Sequence, residues 1–267
     1  SIGSEANTGN CSKVTITNST VTSTDMTGAL AALANYIGTL SECAVVNTSV
    51  TGGARTGGLI GSVSKANVIS DCYAENVTIT SSSYYAGGLI GQFTGGGKIK
   101  GCYTTGTVNS TQTNYSRSGG LVGYLMSGTV SNCHSTCDVT VGGQFGGGLI
   151  GEVDGGTVTK CYATGKVSGE NHYCGGLIGR LTGSLNISES YFVGSVTLPS
   201  SKAQAGGIIS CMDEGSSAEI SNCYSAGSIS GRRWHGGIVG GTNANAVSLK
   251  VTNCYTTTSI TGTPYGA

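Results

Sequence analysis

The chain has 267 residues, only 10% of them charged, and its 13 basic side chains balance 13 acidic ones; no net field exists to draw in nucleic acid or an anionic bilayer. Gly reaches 47 residues against 2 Pro. Because the glycines follow no collagen period and lie among plentiful Val and Ile, a collagen triple helix and a disordered linker are both excluded. No apolar run approaches the ~20 residues that span a bilayer, so direct membrane insertion is not expected. The chain opens at Ser1 without a basic and apolar leader, which reads as a processed chain or a segment of a longer one.

In chain order, residues 1–56 read as divergent coils or a cap. There Gly28-Ala29-Leu30-Ala31-Ala32-Leu33 could continue a strand repeat or form a short helix. From residue 57 to 267 the chain reads as one continuous domain of regular repeats. A glycine pair followed by two aliphatics recurs as Gly57-Gly58-Leu59-Ile60, Gly87-Gly88-Leu89-Ile90, Gly119-Gly120-Leu121-Val122 and Gly147-Gly148-Leu149-Ile150. It continues as Gly175-Gly176-Leu177-Ile178, Gly206-Gly207-Ile208-Ile209 and Gly236-Gly237-Ile238-Val239, at spacings of 28 to 32 residues. A second column keeps step with it: Cys72-Tyr73, Cys102-Tyr103, Cys133-His134, Cys161-Tyr162, Ser190-Tyr191, Cys223-Tyr224 and Cys254-Tyr255. Cys11 and Cys43 extend this column without the aromatic, and an aliphatic stands three residues before each regular member. A third column follows as Val108, Val139, Val167, Val196, Ile229 and Ile260.

These stretches are too short for helices and rich in β-branched residues. The predicted fold is therefore all-β, a parallel β-helix or β-solenoid of about eight coils of ~30 residues with three short strands per coil. Strands about 4.8 Å apart would make a rod roughly 38 Å long. Alternation places Leu59, Gly61 and Val63 inward and leaves Ser62, Gln92, Tyr124, Glu152 and Arg180 on an outer face. The Ile60 column falls on the outward parity, which calls for a bend or for an apolar ladder covered by a partner. The aliphatic before each Cys is also out of phase, and a corner or bulge beside Ser70-Asp71, Ser131-Asn132 or Ser221-Asn222 would correct it.

The recurring Gly-Leu-Ile/Val-Gly with an intervening Cys-Tyr-Ala/Thr-x-Gly-x-Val resembles the GLUG repeat family over roughly residues 57 to 262. Ser210, Ser190 and the first 56 residues depart from the pattern. The resemblance implies a β-helical rod in a secreted or surface-attached, adhesin-like protein. It transfers no catalytic residue.

The candidate site residues are structural first. Cys72, Cys102, Cys133, Cys161, Cys223 and Cys254 read as a buried ladder of free thiols. Side chains of in-register strands run alongside each other about 5 Å apart, beyond the 3.5–4.5 Å between the Cβ atoms of a disulfide. Cys137, Cys174 and Cys211 lie outside the column and are left open to pairing. Tyr73, Tyr103, Tyr162, Tyr191, Tyr224 and Tyr255 read as a self-stacking aromatic ladder, with a sugar- or partner-binding strip as the alternative. Arg232, Arg233 and Trp234 form the one concentrated cationic-aromatic patch, a possible ligand contact. No catalytic residue, metal site or cofactor is expected: no Cys-x-x-Cys or clustered His occurs, and His134, His172 and His235 read as surface or corner residues.

A carbohydrate-active enzyme would draw on Glu152, Asp154, Asp213 and Glu214. Those carboxylates are two coils, roughly 10 Å, apart, with Arg180 and Thr182 between them. An ice-binding face is disfavoured because Thr105-Gly106-Thr107 gives way to Thr136-Cys137-Asp138. Sequons stand at Asn10, Asn18, Asn47, Asn76, Asn109, Asn114 and Asn186. The sequence thus points to an extracellular or cell-surface structural protein, a stalk, adhesin module or filament subunit. Its partners would be copies of itself, other surface proteins or glycans. The alternative is a carbohydrate-binding or carbohydrate-active β-helix.

Overall fold

A computed structural model describes residues 9–170, 173–199, 204–231, 234–243 and 247–262. Among these there is no helix, and the strands form three parallel sheets of 15, 13 and 7 strands. The chain is a parallel β-solenoid of about eight turns, as the repeat spacing requires. Most coils hold four or five strands rather than three, although the coil through Tyr173–Gly175, Ile178–Ser188 and Tyr191–Thr197 holds three. One coil runs through Tyr85–Gly87, Ile90–Phe93, Lys98–Lys100 and Tyr103–Ser110. The next runs through Arg117–Gly119, Val122–Leu125, Thr129–Ser131, His134–Ser135 and Asp138–Val141.

The extra strand comes from the glycine motif. Its first glycine ends one short strand and its second aliphatic begins another in a different sheet. The chain bends sharply between them, and two backbones meet there with no room for side chains. A Cβ on Gly88 would overlap the Gly120 carbonyl, and one on Gly87 would overlap that of Ile90. The bend also settles the phase of the following residue. Ile60, Ile90, Val122, Ile150 and Ile178 are fully buried, as are Leu59, Leu89, Leu121, Leu149 and Leu177. The Ile60 column is therefore part of the interior and needs no partner.

The second phase break is a corner as well. The residue before each column Cys is left-handed: φ is 53° at Asp71, 52° at Asn132, 54° at Lys160, 52° at Asn222 and 64° at Gly101. Non-Gly residues adopt this conformation only where their surroundings hold it. The thiol supplies part of that hold. Cys72 Sγ donates to Ser70 O at 3.2 Å and Cys133 Sγ to Ser131 O at 3.2 Å, closing the corner from within. The same sulfur accepts a backbone amide from the preceding coil, Cys43 N to Cys72 Sγ and Cys102 N to Cys133 Sγ, each at 3.4 Å. Ser190 stands in for a thiol with the same pair of bonds, 2.7 Å to Ser188 O and 3.1 Å from Cys161 N.

At the N-terminal side, Ala31–Ala34 is a strand in register with Ile60–Val63 and not a helix. Cys43 precedes Ala44, which pairs with Tyr73, and so continues the thiol column. Cys11 does not. It pairs with Leu40 in the aliphatic column, and Val14 occupies the thiol's place beside Thr15, the partner of Ala44. A spacing of 32 residues against a ~30-residue period had concealed that shift. Asn18, Asn47 and Asn76 turn a further corner with φ near 50°, and Asn76 Nδ2 donates to Asn47 Oδ1 at 2.7 Å. In the last described coil Val251 and Ile260 are exposed, whereas Ile220 and Ile229 one coil earlier are buried.

Two substitutions check these assignments. Ile150→Ala should lower stability by about 2–5 kcal/mol in equilibrium denaturation, whereas Tyr115→Ala, at an exposed site, should change it by less than about 0.5 kcal/mol. Near-neutrality of Ile150→Ala would return that column to the outer face. At the corner, Cys133→Ala should cost about 1–3 kcal/mol by stranding the Cys102 amide. Cys133→Ser should cost less, because a hydroxyl repeats both bonds, as Ser190 does.

Candidate functional site

Two surfaces carry the chemistry-bearing side chains. The first is the aromatic column, where parallel in-register strands hold successive rings at one spacing. Tyr73, Tyr103, His134, Tyr162, Tyr191, Tyr224 and Tyr255 form one continuous stack with centroid separations of 4.6 to 5.2 Å and interplanar angles of 2° to 6°. The rings cover one another face to face and leave their edges to solvent. Burial, followed by the hydrogen bond from its hydroxyl to Glu75 at 3.0 Å, pushes the Tyr103 phenol up to about 12. His134, read from the sequence as a surface or corner residue, lies in the strand His134–Ser135. It is a member of the stack, and burial lowers its pKa below 6.5.

The second surface went unread in the sequence. The first residues of the short strands before each glycine pair stand in register: Arg55, Tyr85, Arg117, Phe145, Tyr173, Gln204 and Trp234. Because the chain folds back at the bend, this column lies beside Ser62, Gln92, Tyr124, Glu152 and Arg180, also in register. The latter had been assigned to an outer face. Instead Ser62, Tyr124 and Glu152 are buried, Glu152 with only 4% exposure.

The two columns complement each other. The Tyr85 and Tyr124 rings stack at 5.3 Å, and the Arg117 guanidinium lies over Tyr85 at 5.2 Å and over Phe145 at 5.8 Å. Arg180 lies over Phe145 at 4.5 Å, and Phe145 stacks on Tyr173 at 5.3 Å. Glu152 accepts from Arg117 at 2.9 Å and from Arg180 at 3.1 Å, and Arg180 also pairs with Asp213. Burial works against the charge of Arg180; the hydrogen bonds and charges of Asp213 and Glu152 outweigh it and raise the pKa. Asp154 accepts from the Tyr124 hydroxyl at 2.5 Å and from Thr182 at 2.6 Å. Asn243 links Asp213, Tyr173 and Gln204 at 3.0 to 3.3 Å. The strip is therefore a connected network spanning several coils, in which partly desolvated charges are paired and hydrogen-bonded. Glu152 and Asp213, two of the carboxylates of the enzyme alternative, share the Arg180 guanidinium.

Of the cationic-aromatic patch, Arg232 and Arg233 lie outside the described residues, as does His172. Trp234 is exposed and continues the Tyr173–Gln204 column. The thiols are unpaired, and burial pushes Cys137 up to about 11 and Cys174 and Cys211 up to about 12. Cys174 and Cys211 lie in strands of two different sheets, and Cys137 stands between the strands His134–Ser135 and Asp138–Val141. Among the described residues no three His, Cys, Asp or Glu side chains are grouped to hold a metal ion, and no helix is long and apolar enough to cross a membrane.

The imidazole in the stack gives a pH test. With its folded pKa below 6.5, His134 contributes full stability above pH 6.5 and loses it as the pH falls from there through its folded value, since the unfolded chain takes up the proton first. Denaturation midpoints followed from pH 8 to pH 5 should fall less in His134→Tyr than in the unmodified protein. Identical slopes would contradict the assignment.

The GLUG motif matches three segments, residues 82–109, 114–140 and 146–168. These span the bend, the corner and the following valine column of three successive coils. No curated protein matches the chain. Among solved structures, the crystal structure of a "putative immunoglobulin A1 protease" from Bacteroides ovatus superposes with a TM-score of 0.64 at 17% identity, over 96% of this chain and 86% of that one. At that identity the likeness is one of fold. The chain is thus a parallel β-solenoid that carries GLUG repeats.

Proposed function

We propose that the chain is a structural or adhesive module of an extracellular or cell-surface protein, a rod that serves as stalk, adhesin segment or filament subunit. The supporting observation is the parallel stacking of coil on coil, in which the ring stack from Tyr73 to Tyr255 and the thiol column both hold one coil on the next. GLUG repeats are found in secreted and surface-attached proteins, which favours that location.

The name of the structural neighbour raises a peptidase reading. The described residues lend it little support: His134 is clamped between two tyrosines, and His235 Nε2 is buried with no hydrogen-bond partner. Of the carboxylates that glycoside hydrolysis would draw on, Glu152 and Asp213 are engaged by arginines and Asp154 by Tyr124 and Thr182. We therefore assign no catalytic role.

A second reading is favoured by the half-buried Tyr85 and Tyr173 and the exposed Trp234 of the strip, with Asn243 and Asp213 beside Tyr173. Aromatic faces beside amide and carboxylate groups suit a glycan. Electron microscopy of the native material should show rods, joined end to end if the filament form holds. Sedimentation independent of concentration would exclude that form. On a glycan array, binding that drops at least tenfold in Trp234→Ala would support the glycan reading; an array with no bound glycan would leave the structural role alone.

A further inference from the structure

The three-residue shift of Cys11 out of the thiol column, to the place opposite Leu40, has a chemical consequence. Within the column, neighbouring Cys side chains leave parallel strands in the same direction about 4.8 Å apart, a spacing that keeps their Cβ atoms beyond disulfide range. Cys11 is free of this restriction. Paired with Leu40 across the sheet, it approaches from the other side of the corner, and its Sγ meets that of Cys43 at 4.0 Å. Cys43 keeps the usual column contact, donating to Ser41 O at 3.4 Å. Cys11 is half-buried, so a small disulfide can reach it, whereas Cys43 is closed off behind it.

We propose that Cys11 and Cys43 are a disulfide-forming pair, a covalent staple between two successive coils that is closed by exchange with an external disulfide. The Cys11 thiolate attacks one sulfur of oxidised glutathione and expels a glutathione thiolate, leaving a mixed disulfide on Cys11. The Cys43 thiolate then attacks the Cys11 sulfur, and the second glutathione leaves. One S–S bond is broken and one formed; two electrons and the two thiol protons pass to the pair of glutathione molecules. The first step needs an exposed sulfur and the second a close one, which is the division of roles the two positions have. Burial raises the Cys43 thiol to about 11, so closure should accelerate about tenfold per pH unit through the neutral and mildly alkaline range. The partners lie 32 residues apart, a loop long enough for the bridge to restrict the unfolded chain substantially. Such a staple suits an oxidising compartment.

Trypsin separates the two positions cleanly. Cleavage after Lys13 and Arg55 yields the peptides 1–13 and 14–55, each with a single cysteine. The full chain is incubated with oxidised and reduced glutathione, quenched with N-ethylmaleimide, denatured, alkylated and digested without reduction. The expected product is peptide 1–13 joined to 14–55 and lighter by two hydrogens, with the nine cysteines that remain of eleven alkylated. Eleven alkylated thiols, a stalled glutathione adduct on Cys11, or a link between column members such as Cys43 and Cys72 would each overturn the proposal. As a second readout, the oxidised protein should melt several degrees above the reduced one (about 5 °C or more), and Cys11→Ser should melt identically in both buffers. A linked chain that melts no higher than the reduced one overturns the role as a staple.

Discussion

The structure depends on the close approach of two backbones at the glycine pair. Where the chain bends from Tyr85–Gly87 into Ile90–Phe93, a single added Cβ at Gly88 would collide with the carbonyl of the coil above. That collision would lift coils apart where the parallel hydrogen bonds must close. Removing the side chain lets the coil turn tightly enough that two consecutive aliphatics both enter the core, which no straight strand can do. The same fold-back lays one column of side chains beside another and so creates the aromatic and ionic strip. Core and strip are two results of one bend.

The parallel architecture was legible because repetition multiplies a weak signal. Seven glycine pairs at nearly constant spacing define a coil even though each strand is only a few residues long. The position of the corners was legible too, because the alternation breaks beside Asp71, Asn132 and Asn222, where the structure shows a left-handed backbone that such residues tolerate. What alternation could not reveal was the inside of the bend. Period-two reasoning assumes a straight strand, and it sent Glu152 and Arg180 to solvent when the chain had folded back over them. A signal for the strip existed in the sequence. In a chain so poor in charge, Arg117, Glu152, Arg180 and Asp213 recur within a few residues of the same motif, and residues before the glycine pair match residues after it in the next coil, as Arg117 matches Glu152. The misplacement of Cys11 has a different origin: counting residues between cysteines ignores the register that hydrogen bonding sets.

The thiols and tyrosines illustrate how one residue type can serve in a repeat without any chemistry of its own. Cysteine at the corner is a small apolar side chain with a weak donor and a weak acceptor. Both capacities are used, one on its own coil and one on the neighbour. Serine meets the same requirement at position 190, which shows that hydrogen-bonding geometry and size, rather than sulfur reactivity, are what the corner requires. The aromatic column likewise accepts His134, an imidazole of the right thickness, without interruption of the stack.

Because the strands of each coil pair only with those of the coils before and after it, the molecule behaves as a graduated ruler. Gain or loss of one repeat inserts or removes about 30 residues and about 4.8 Å of length, while every bend, corner and ring elsewhere keeps its environment. Reach is therefore a variable that duplication can tune in equal steps without redesigning a core. A protein built this way can set a distance between two attached parts as closely as the thickness of one strand allows.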